Sequence, residues 1–506
     1  MQRREFLKTG IGCAYAPTVS LSANSDRPNL LLIVADQHRA DWLGSDRNAA
    51  VLTPNLDRLT AGGVRFKCAY SSTPTCTPAR SALLTGMSPW NHGLLGYGAV
   101  AERYPVEMPR ILRDAGYYTA GIGKMHWHPQ RASHGFHQIL LDESGRVESG
   151  DFRGDYRSWF WSEAPDADPD STGLLWNGFE ARPYALPERL HPTAWTGETA
   201  VRFLRDYKRP EPFFLKVSFA RPHSPYDPPK RWMDRYEGAY IPPVRAGAWA
   251  EGYRKRSGTG REPWHGDLGP VQARSSRQGY SGSVSFVDEN IGRILETLDS
   301  RGWLANTLAM YMSDHGDMLG DHHLWRKSYA YEASARVPMI VHWPEGLRAA
   351  GGRVLSNPVE IRDVLPTLME AAGVSASEAM DGRSLLTLAR NPGAAWRGWI
   401  DLEHDVCYGP ENHWNALTDG KRKYIFHAMT GREQLFDLEH DPDELRDCAN
   451  EPNWSSEVHL WRERLAGHLA PRGTPWIVNG RLGLRPESRL HSPNYPKPAA
   501  AAIRGG

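Results

Sequence analysis

Four apolar runs in this chain each end in charged or imidazole side chains, and this repeated pattern constrains the fold more than any other feature. The first run spans residues 29–35, and the others span residues 118–123, 213–219 and 308–313. A continuous apolar run is typical of a strand that is buried on both faces of a parallel sheet. The carboxyl ends of such strands meet at one edge, where open α/β sheets bind ligands, so the polar residues that follow should converge there.

The side chains that follow these runs are mostly carboxylate, imidazole and ammonium groups. Any strand has to end in polar residues, so one such ending would carry little weight. Four endings of the same chemistry favour a common site at the edge of the sheet. The residues concerned are Asp36, Gln37, Lys124, His126, His223, Asp314 and His315.

Helical segments separate the apolar runs. Their apolar residues recur on one helical face, and glycines mark several of their ends. Alternating strands and helices predict an α/β fold, a large, mostly parallel sheet sandwiched by helices. The predicted helices span residues 54–59, 108–114, 193–207 and 281–301.

Two long stretches interrupt this alternation. Residues 141–190 are rich in Asp, Gly, Pro and Trp, and residues 235–275 are rich in Gly, Arg and Pro. Long loops in a compact domain are usually functional or disordered. We expect both stretches to form walls of a substrate pocket.

A short stretch around Cys76 has the pattern of a loop that enters a helix. Pro78 suits the first helical turn, and Gly86 suits the helix stop. Cys76 would then lie at the positive end of the helix, and Arg80, one turn further, would point back towards it. Both features favour an anion at residue 76, whereas the ordinary alternative is a small buried cysteine beside a surface arginine.

The same stretch resembles the sulfatase signature Cys-x-Pro-x-Arg, and the similarity continues from Ser81 to Gly86. In that family a maturation enzyme oxidises the cysteine to formylglycine, an aldehyde that serves as the nucleophile. The resemblance implies a sulfuric ester hydrolase with an alkaline-phosphatase-like fold and a small C-terminal antiparallel sheet domain. It assigns catalytic roles to Cys76 and Arg80.

Three further segments resemble sulfatase motifs in the same order along the chain. Residues 123–126 match Gly-Lys-x-His, residues 222–226 match Pro-His-x-Pro-Tyr, and residues 319–327 are similar to a Leu-Gly-x-His…Lys segment. The resemblance implies that the lysines clamp the sulfate oxygens and that histidines bind them, one of which protonates the leaving alcohol. The residues so implied are Lys124, His126, His223, His322 and Lys327.

The resemblance also implies a divalent metal. Asp36 and Gln37 fall where the family has two acidic ligands, so an amide replaces the second carboxylate, and Asp314 and His315 fall on its Asp-[Asn/His]-Gly segment. With residue 76 these four form the expected ligand set, unless the amide is only solvated or hydrogen-bonded to a ligand. Calcium is the family default, and the amide and imidazole leave manganese open.

The implied reaction is hydrolysis of a sulfate ester, in which a hydroxyl of the hydrated aldehyde attacks sulfur. The 19 tryptophans and the polar loops favour a sulfated carbohydrate as substrate. Phosphonate monoester and phosphodiester hydrolases share the Cys-x-Pro-x-Arg stretch and tend to carry Asp-Gln and Asp-His, so their activity is one alternative. A non-catalytic protein that binds sulfated glycans is another, although no core motif position is lost.

Charge and hydropathy limit the remaining partners. The net charge of +1 and pI of about 7.8 give no reason to expect a nucleic acid partner. No run approaches the ~20 apolar residues of a membrane span. The expected organisation is an export signal at residues 1–24, a catalytic domain at 25–395, a small α+β domain at 396–485 and a flexible tail at 486–506.

The five cysteines do not form a recognisable framework. Cys13 would leave with the export signal and Cys76 would be modified, which leaves an odd number. One disulfide among Cys68, Cys407 and Cys448 stays open, and the absence of a CxxC pair argues against a zinc or redox motif.

The N-terminus resembles a twin-arginine export leader, with Arg3-Arg4 ahead of a mild apolar run and a cleavage site near residues 21–23. This implies a periplasmic or secreted protein that folds, and acquires its modification, before export.

Replacing both Arg3 and Arg4 by lysine should therefore leave the protein in the cytoplasm, because the twin-arginine receptor reads the two guanidinium groups. Cell fractionation with a periplasmic marker measures this, and Lys8→Arg serves as the control with the same kind of exchange. Normal periplasmic yield of the double variant would show that the leader has been misread.

Overall fold

The structure is a computed structural model that describes residues 27–46, 51–258, 260–347, 349, 351–375, 379–405 and 407–496. The predicted export leader and Cys13 lie outside the described residues. The strands are β1 (Asn29–Asp36), β2 (Val64–Phe66), β3 (Ala69–Tyr70), β4 (Tyr118–Gly123), β5 (Gln138–Leu141), β6 (Phe213–Pro222), β7 (Thr307–Ser313), β8 (Met339–His342), β9 (Arg353–Leu355), β10 (Val359–Glu360), β11 (Ile400–His404), β12 (Trp414–Thr418), β13 (Arg422–His427), β14 (Glu433–Asp437), β15 (Ile477–Val478) and β16 (Arg481–Leu482). The α-helices are α1 (Pro54–Gly62), α2 (Cys76–Thr85), α3 (Pro89–His92), α4 (Met108–Asp114), α5 (Asp155–Glu163), α6 (Pro192–Asp206), α7 (Lys230–Arg235), α8 (Pro270–Ser300), α9 (Glu332–Ala335), α10 (Val364–Ala371), α11 (Leu386–Arg390) and α12 (Ser455–Leu469).

The main sheet has eight strands in the order β5-β4-β6-β1-β7-β8-β2-β9. The first five strands in this order, β5, β4, β6, β1 and β7, run parallel to one another. The next strand, β8, is antiparallel to both of its neighbours. The four predicted strands therefore lie side by side as β4, β6, β1 and β7, and their carboxyl ends meet at one edge. The prediction of a mixed, mostly parallel sheet is confirmed.

Helices cover both faces of this sheet. The core on one face is built with α2, α4, α10 and α11, and the core on the other with α1, α6 and α8. Successive residues of β1 alternate between the two cores, with Leu32 in the first and Ile33 in the second. Within the described residues, none of the helices combines the length and the apolar character that crossing a membrane requires.

Two helices differ from the predictions. The helix α5 lies inside a stretch predicted as loop, and α8 begins at Pro270, ahead of the predicted start at residue 281. The early part of α8 packs through glycine: a Cβ on Gly279 would lie 2.9 Å from the carbonyl oxygen of Tyr226. A helix that packs through glycine and serine shows no apolar stripe, so the sequence pattern does not reveal it.

A second sheet, β11-β12-β13-β14, is antiparallel throughout. Helix α12 packs against it through Trp461 and Leu465 in a separate core. The prediction of a small C-terminal antiparallel sheet is confirmed, while the numerical domain boundaries stay predictions.

The described part of the C-terminus differs from the predicted flexible tail, because it packs along residues 90–99. The carbonyl of Leu490 accepts the N–H of Leu95 at 2.9 Å, and the N–H of Ser492 donates to the carbonyl of Gly93 at 2.8 Å. The segment is irregular and has no helical or strand period, so its docking is invisible in the sequence. Residues 497–506 of the predicted tail lie outside the described residues.

Truncating the chain after Glu487 should lower the melting temperature by roughly 2–5 °C, because it removes these hydrogen bonds and the packing of the half-buried Leu490 beside Gly98. Differential scanning fluorimetry measures the change. Truncation after Pro496 is the matched control, since it removes none of the contacts described. Equal melting temperatures for the two truncated proteins would contradict the docked arrangement.

Candidate active site

The carboxyl edge of the main sheet brings the predicted site residues together. Asp36 ends β1, Lys124 follows β4, His223 follows β6 and Asp314 follows β7. Helix α2 approaches the same edge with its N-terminus, where Cys76 is the first helical residue. Its C-terminus is closed by Gly86, whose backbone is left-handed (φ 69°), as the sequence predicts.

The thiol of Cys76 lies among charged groups. Its Sγ is 3.1 Å from His315 Nε2 and 3.8 Å from Asp36 Oδ1. Burial and the Asp36 carboxylate both raise the pKa of the thiol, but Lys327, Lys124 and His315 outweigh them, and the pKa is lowered. An anion at residue 76 is therefore favoured, as the sequence predicts.

Arg80 connects the helix to the sheet edge. Its Nε donates to Asp314 Oδ2 at 2.9 Å, and its Nη1 donates to the carbonyl of Lys124 at 2.7 Å. Its Nη2 lies 3.5 Å from Asp36 Oδ2 and is buried without a hydrogen-bond partner among the described residues. The guanidinium thus pairs with the two carboxylates rather than with the cysteine sulfur.

Asp36 is fully buried, and the cations around it favour its ionised form. Burial alone would raise the pKa of its carboxyl, but the charges of Lys124, His223 and Arg80 hold the pKa well below its usual range. Lys124 donates directly to Asp36 Oδ2. This carboxylate therefore stays available to a cation across the physiological pH range.

Four buried side chains could hold a metal ion. Ligand atoms of Asp36, Cys76, Asp314 and His315 all lie within 4.8 Å of one another. Two carboxylates and an imidazole suit a divalent cation such as Ca²⁺ or Mn²⁺. The unpartnered Arg80 Nη2 beside them leaves room in the hydrogen-bond network for an anionic ligand of such an ion. The residues present therefore fit a divalent metal.

Gln37 lies beside this group with its amide already engaged. Its Oε1 accepts from Lys327 Nζ at 2.8 Å, and its Nε2 donates to Asp317. Its own N–H donates to Asp314 Oδ1 at 3.1 Å from a left-handed backbone (φ 69°). The amide oxygen thus lies close to the predicted metal ligands and already accepts a hydrogen bond from the ammonium group of Lys327.

A cavity of about 340 Å³ opens above Cys76, and two of the predicted histidines, His126 and His223, line it. Neither ring nitrogen of His126 has a partner among the described residues, and burial, with Arg146 and Lys124, holds its pKa well below the usual value. His223 places its Nδ1 2.7 Å from the carbonyl of Ser224 and its Nε2 2.6 Å from Lys327 Nζ. A carbonyl only accepts, so Nδ1 of His223 carries the proton and Nε2 accepts from the lysine.

The outer wall of the cavity comes from residues that carry no recognisable motif. Tyr97, Arg146, Trp176 and Tyr408 line it with the predicted residues. The stretch 141–190, predicted as a pocket wall, supplies two of these four. Residues of the second predicted wall, 235–275, instead line a separate cavity of about 610 Å³.

The structure does not bring His322 to the cavity above Cys76. Its ring packs on Trp249, with centroids 4.6 Å apart, and its Nδ1 accepts the N–H of Gly247 at 3.3 Å. Its backbone is left-handed (φ 56°). The predicted substrate contact of His322 therefore has no support in its position.

The cysteines of the described residues all carry free thiols. The disulfide left open by the sequence does not form among Cys68, Cys407 and Cys448. Cys407 lines the cavity, and burial raises the pKa of its thiol.

Two family models match the chain. The model described as Sulfatase matches residues 28–374. The model described as N-sulphoglucosamine sulphohydrolase, C-terminal, matches residues 320–469.

Individual proteins are similar over nearly the whole length. An arylsulfatase of Clostridium perfringens is 36% identical, over 90% of this chain and 97% of its own length. A choline-sulfatase of Rhizobium meliloti is 31% identical over 87% of each chain. The crystal structure of a phosphonate monoester hydrolase of Agrobacterium radiobacter has a TM-score of 0.75 at 24% identity, over 91% of this chain and 100% of that one. This last similarity shows the fold alone.

Asp36→Asn and Asp314→Asn should each weaken divalent metal binding at least ~10-fold, because each removes one of two buried negative charges from the ligand set. Gln37→Ala should cost less, since it removes only a neutral oxygen that a lysine already shares. Metal content measured after chelation and add-back of Ca²⁺ or Mn²⁺ gives the ranking.

Asp151→Asn, at an exposed position, is the control for the loss of one carboxylate. If Gln37→Ala proves as damaging as Asp36→Asn, the amide is a full ligand. If the unmodified sequence retains no metal under any condition, the assignment of these residues to a metal fails.

Proposed function

This chain belongs to the sulfatase family, and on that premise we propose that it hydrolyses the sulfate ester of a sulfated carbohydrate. The nucleophile would be formylglycine made from Cys76 by a maturation enzyme. The metal would be Ca²⁺, with Mn²⁺ as the alternative. Membership of the family supports the reaction type, hydrolysis of a sulfate ester, whereas the carbohydrate substrate, the formylglycine and the metal are parts of the proposal.

The observation that carries the proposal is the environment of Cys76. A structural cysteine packs among apolar side chains. Cys76 instead begins a helix, touches His315 and Asp36, and lines a cavity with Lys124 and Lys327. This environment favours anionic chemistry at residue 76 and not a packing role.

Two groups would add to the chemistry of these side chains. Formylglycine would supply a hydrated aldehyde as the nucleophile towards sulfur. A divalent metal held by Asp36, Asp314 and His315, with Gln37 adjacent, would supply positive charge next to that nucleophile.

The side chains above residue 76 bind the sulfate group and move a proton. The ammonium groups of Lys124 and Lys327 lie where they stabilise negative charge on the sulfate oxygens. Neither ring nitrogen of His126 has a partner among the described residues, and the single N–H of the neutral ring can donate to a sulfate oxygen. We assign protonation of the leaving oxygen to Lys327 and His223 together. Lys327 Nζ and His223 Nε2 lie 2.6 Å apart at the cavity and share a proton that can pass to this oxygen.

The carbohydrate substrate is supported by the aromatic side chains at the cavity and by the match of residues 320–469 to the C-terminal model of an N-sulphoglucosamine sulphohydrolase. Periplasmic or secreted localisation by twin-arginine export is a further part of the proposal, supported by the N-terminal sequence.

One observation favours a second candidate, hydrolysis of phosphonate monoesters or phosphodiesters. Asp36 is followed by Gln37 and Asp314 by His315, and the hydrolases of that class tend to carry the same pairs. The non-catalytic alternative is not favoured, because the family match and the intact motifs both support an enzyme.

Protein with formylglycine confirmed by mass spectrometry should turn over an aryl sulfate with a kcat/KM roughly 100-fold or more above that for the matching aryl phosphonate monoester. The two esters share charge and leaving group, but the sulfate presents three terminal oxygens to the cationic side chains, whereas the phosphonate presents two oxygens and a carbon substituent. Cys76→Ala should abolish turnover of both compounds at an unchanged melting temperature.

Faster turnover of the phosphonate would replace the leading proposal by the second candidate. Appreciable turnover by Cys76→Ala would refute the nucleophile. A subsequent screen of sulfated mono- and oligosaccharides would identify the sugar.

A further inference from the structure

The cavity above Cys76 has two chemically different parts. The deep part holds the buried Lys124 and Lys327, the two cations that the proposed function assigns to the sulfate ester. The outer wall holds another cation, Arg146, next to Trp176. The reaction derived above uses neither of these wall residues.

Arg146 uses only part of its hydrogen-bonding capacity. Its Nη2 donates to Glu143 Oε2 at 2.5 Å, and its Nε is buried without a partner among the described residues. The side chain is 36% exposed, so it borders both the cavity and the solvent. An unpaired buried donor is unfavourable, and an anion in the cavity would satisfy it.

Glu143 fixes the position of Arg146 relative to the reacting groups. One oxygen of its carboxylate accepts the backbone N–H of Met125 at 3.0 Å and that of His126 at 2.8 Å. The other oxygen pairs with Arg146. The same carboxylate therefore holds the backbone at His126 and the guanidinium at the outer wall.

Trp176 is fixed before any ligand binds. Its carbonyl accepts from Ser224 Oγ at 2.7 Å, and the guanidinium carbon of the buried Arg221 lies 5.3 Å from its ring centroid. A Cβ on Gly145 would lie 2.0 Å from the indole Nε1, so only glycine fits beside the ring. A pre-formed aromatic surface binds a sugar ring with little ordering cost.

We propose that Arg146 and Trp176 form a subsite for the sugar ring that bears the sulfate ester, and that this subsite selects rings with a second anionic group, either a carboxylate or another sulfate. The proposal rests on the proposed function and specifies its substrate class. The planar guanidinium fork binds such groups through paired hydrogen bonds, while the indole stacks on the ring.

Calorimetry with the Cys76→Ala protein, which binds without turnover, tests the subsite. Three monosaccharide probes share one sulfate ester: one ring is otherwise neutral, one carries a second sulfate, and one carries a carboxylate. At least one doubly anionic probe should bind roughly 10- to 100-fold more tightly than the neutral ring. The comparison of the second sulfate with the carboxylate identifies which anion the subsite takes.

In the Cys76→Ala protein, the further change Arg146→Ala should reduce the ratio of the affinities for the doubly anionic probe and the neutral ring to about one. Arg146→Lys should keep part of this preference, because lysine retains the charge and the pairing with Glu143. Arg189→Ala is the matched control, since Arg189 also pairs with a glutamate, Glu163 at 3.0 Å, at an exposed position outside this cavity. Trp176→Ala should weaken the binding of all three probes roughly 2- to 10-fold, and Trp176→Phe should weaken it less.

The proposal is overturned if the neutral ring binds as tightly as both doubly anionic rings, or if Arg146→Ala weakens all three probes by the same factor, which would reduce Arg146 to a structural partner of Glu143. Failure of the proposed function gives a different result. A formylglycine-containing protein that hydrolyses no sulfate ester, although Cys76→Ala keeps the anion preference, would refute the function and support the subsite.

Discussion

Asp36 and Asp314 bury two carboxylates next to each other, and the arrangement of the site follows from the need to pair their charges. Buried charges are tolerated only when they are paired and hydrogen-bonded. Arg80 pairs with both and Lys124 with Asp36. Because Arg80 belongs to α2, this neutralisation also docks the helix at the sheet edge, and it thereby delivers Cys76 to the carboxylates.

The cations that neutralise the carboxylates also form the binding surface. Lys124 contacts Asp36 from the same cavity that Lys327 and His223 line. A ligand anion would find positive charge already ordered, without the cost of reorganising it. Lys124 thus pairs with the buried Asp36 and, in the proposed function, also binds the sulfate group.

The main sheet and most of the deep site could be predicted from the sequence. Strands buried on both faces have to be continuously apolar, so β1, β4, β6 and β7 are visible as runs, and the residues just after them mark the ligand edge. The loop-to-helix pattern around Cys76, with its stop at Gly86, is equally local. The chemistry of these positions follows from residue type, and their order along the chain matches one family.

The particular residues of the outer wall, the position of His322 and the course of the C-terminus could not be predicted from the sequence. Arg146 and Trp176 are positioned by contacts with the loop residues Glu143 and Gly145 and with Arg221 at the end of β6, and no periodic pattern links these positions. The segment after residue 487 docks through irregular backbone hydrogen bonds. The periodicity of apolar residues shows only which face of a helix or strand is buried, so the sequence predicts the layers of this fold. Contacts between loops depend on the direction in which each loop leaves its helix or strand. These directions are set only when the layers are packed.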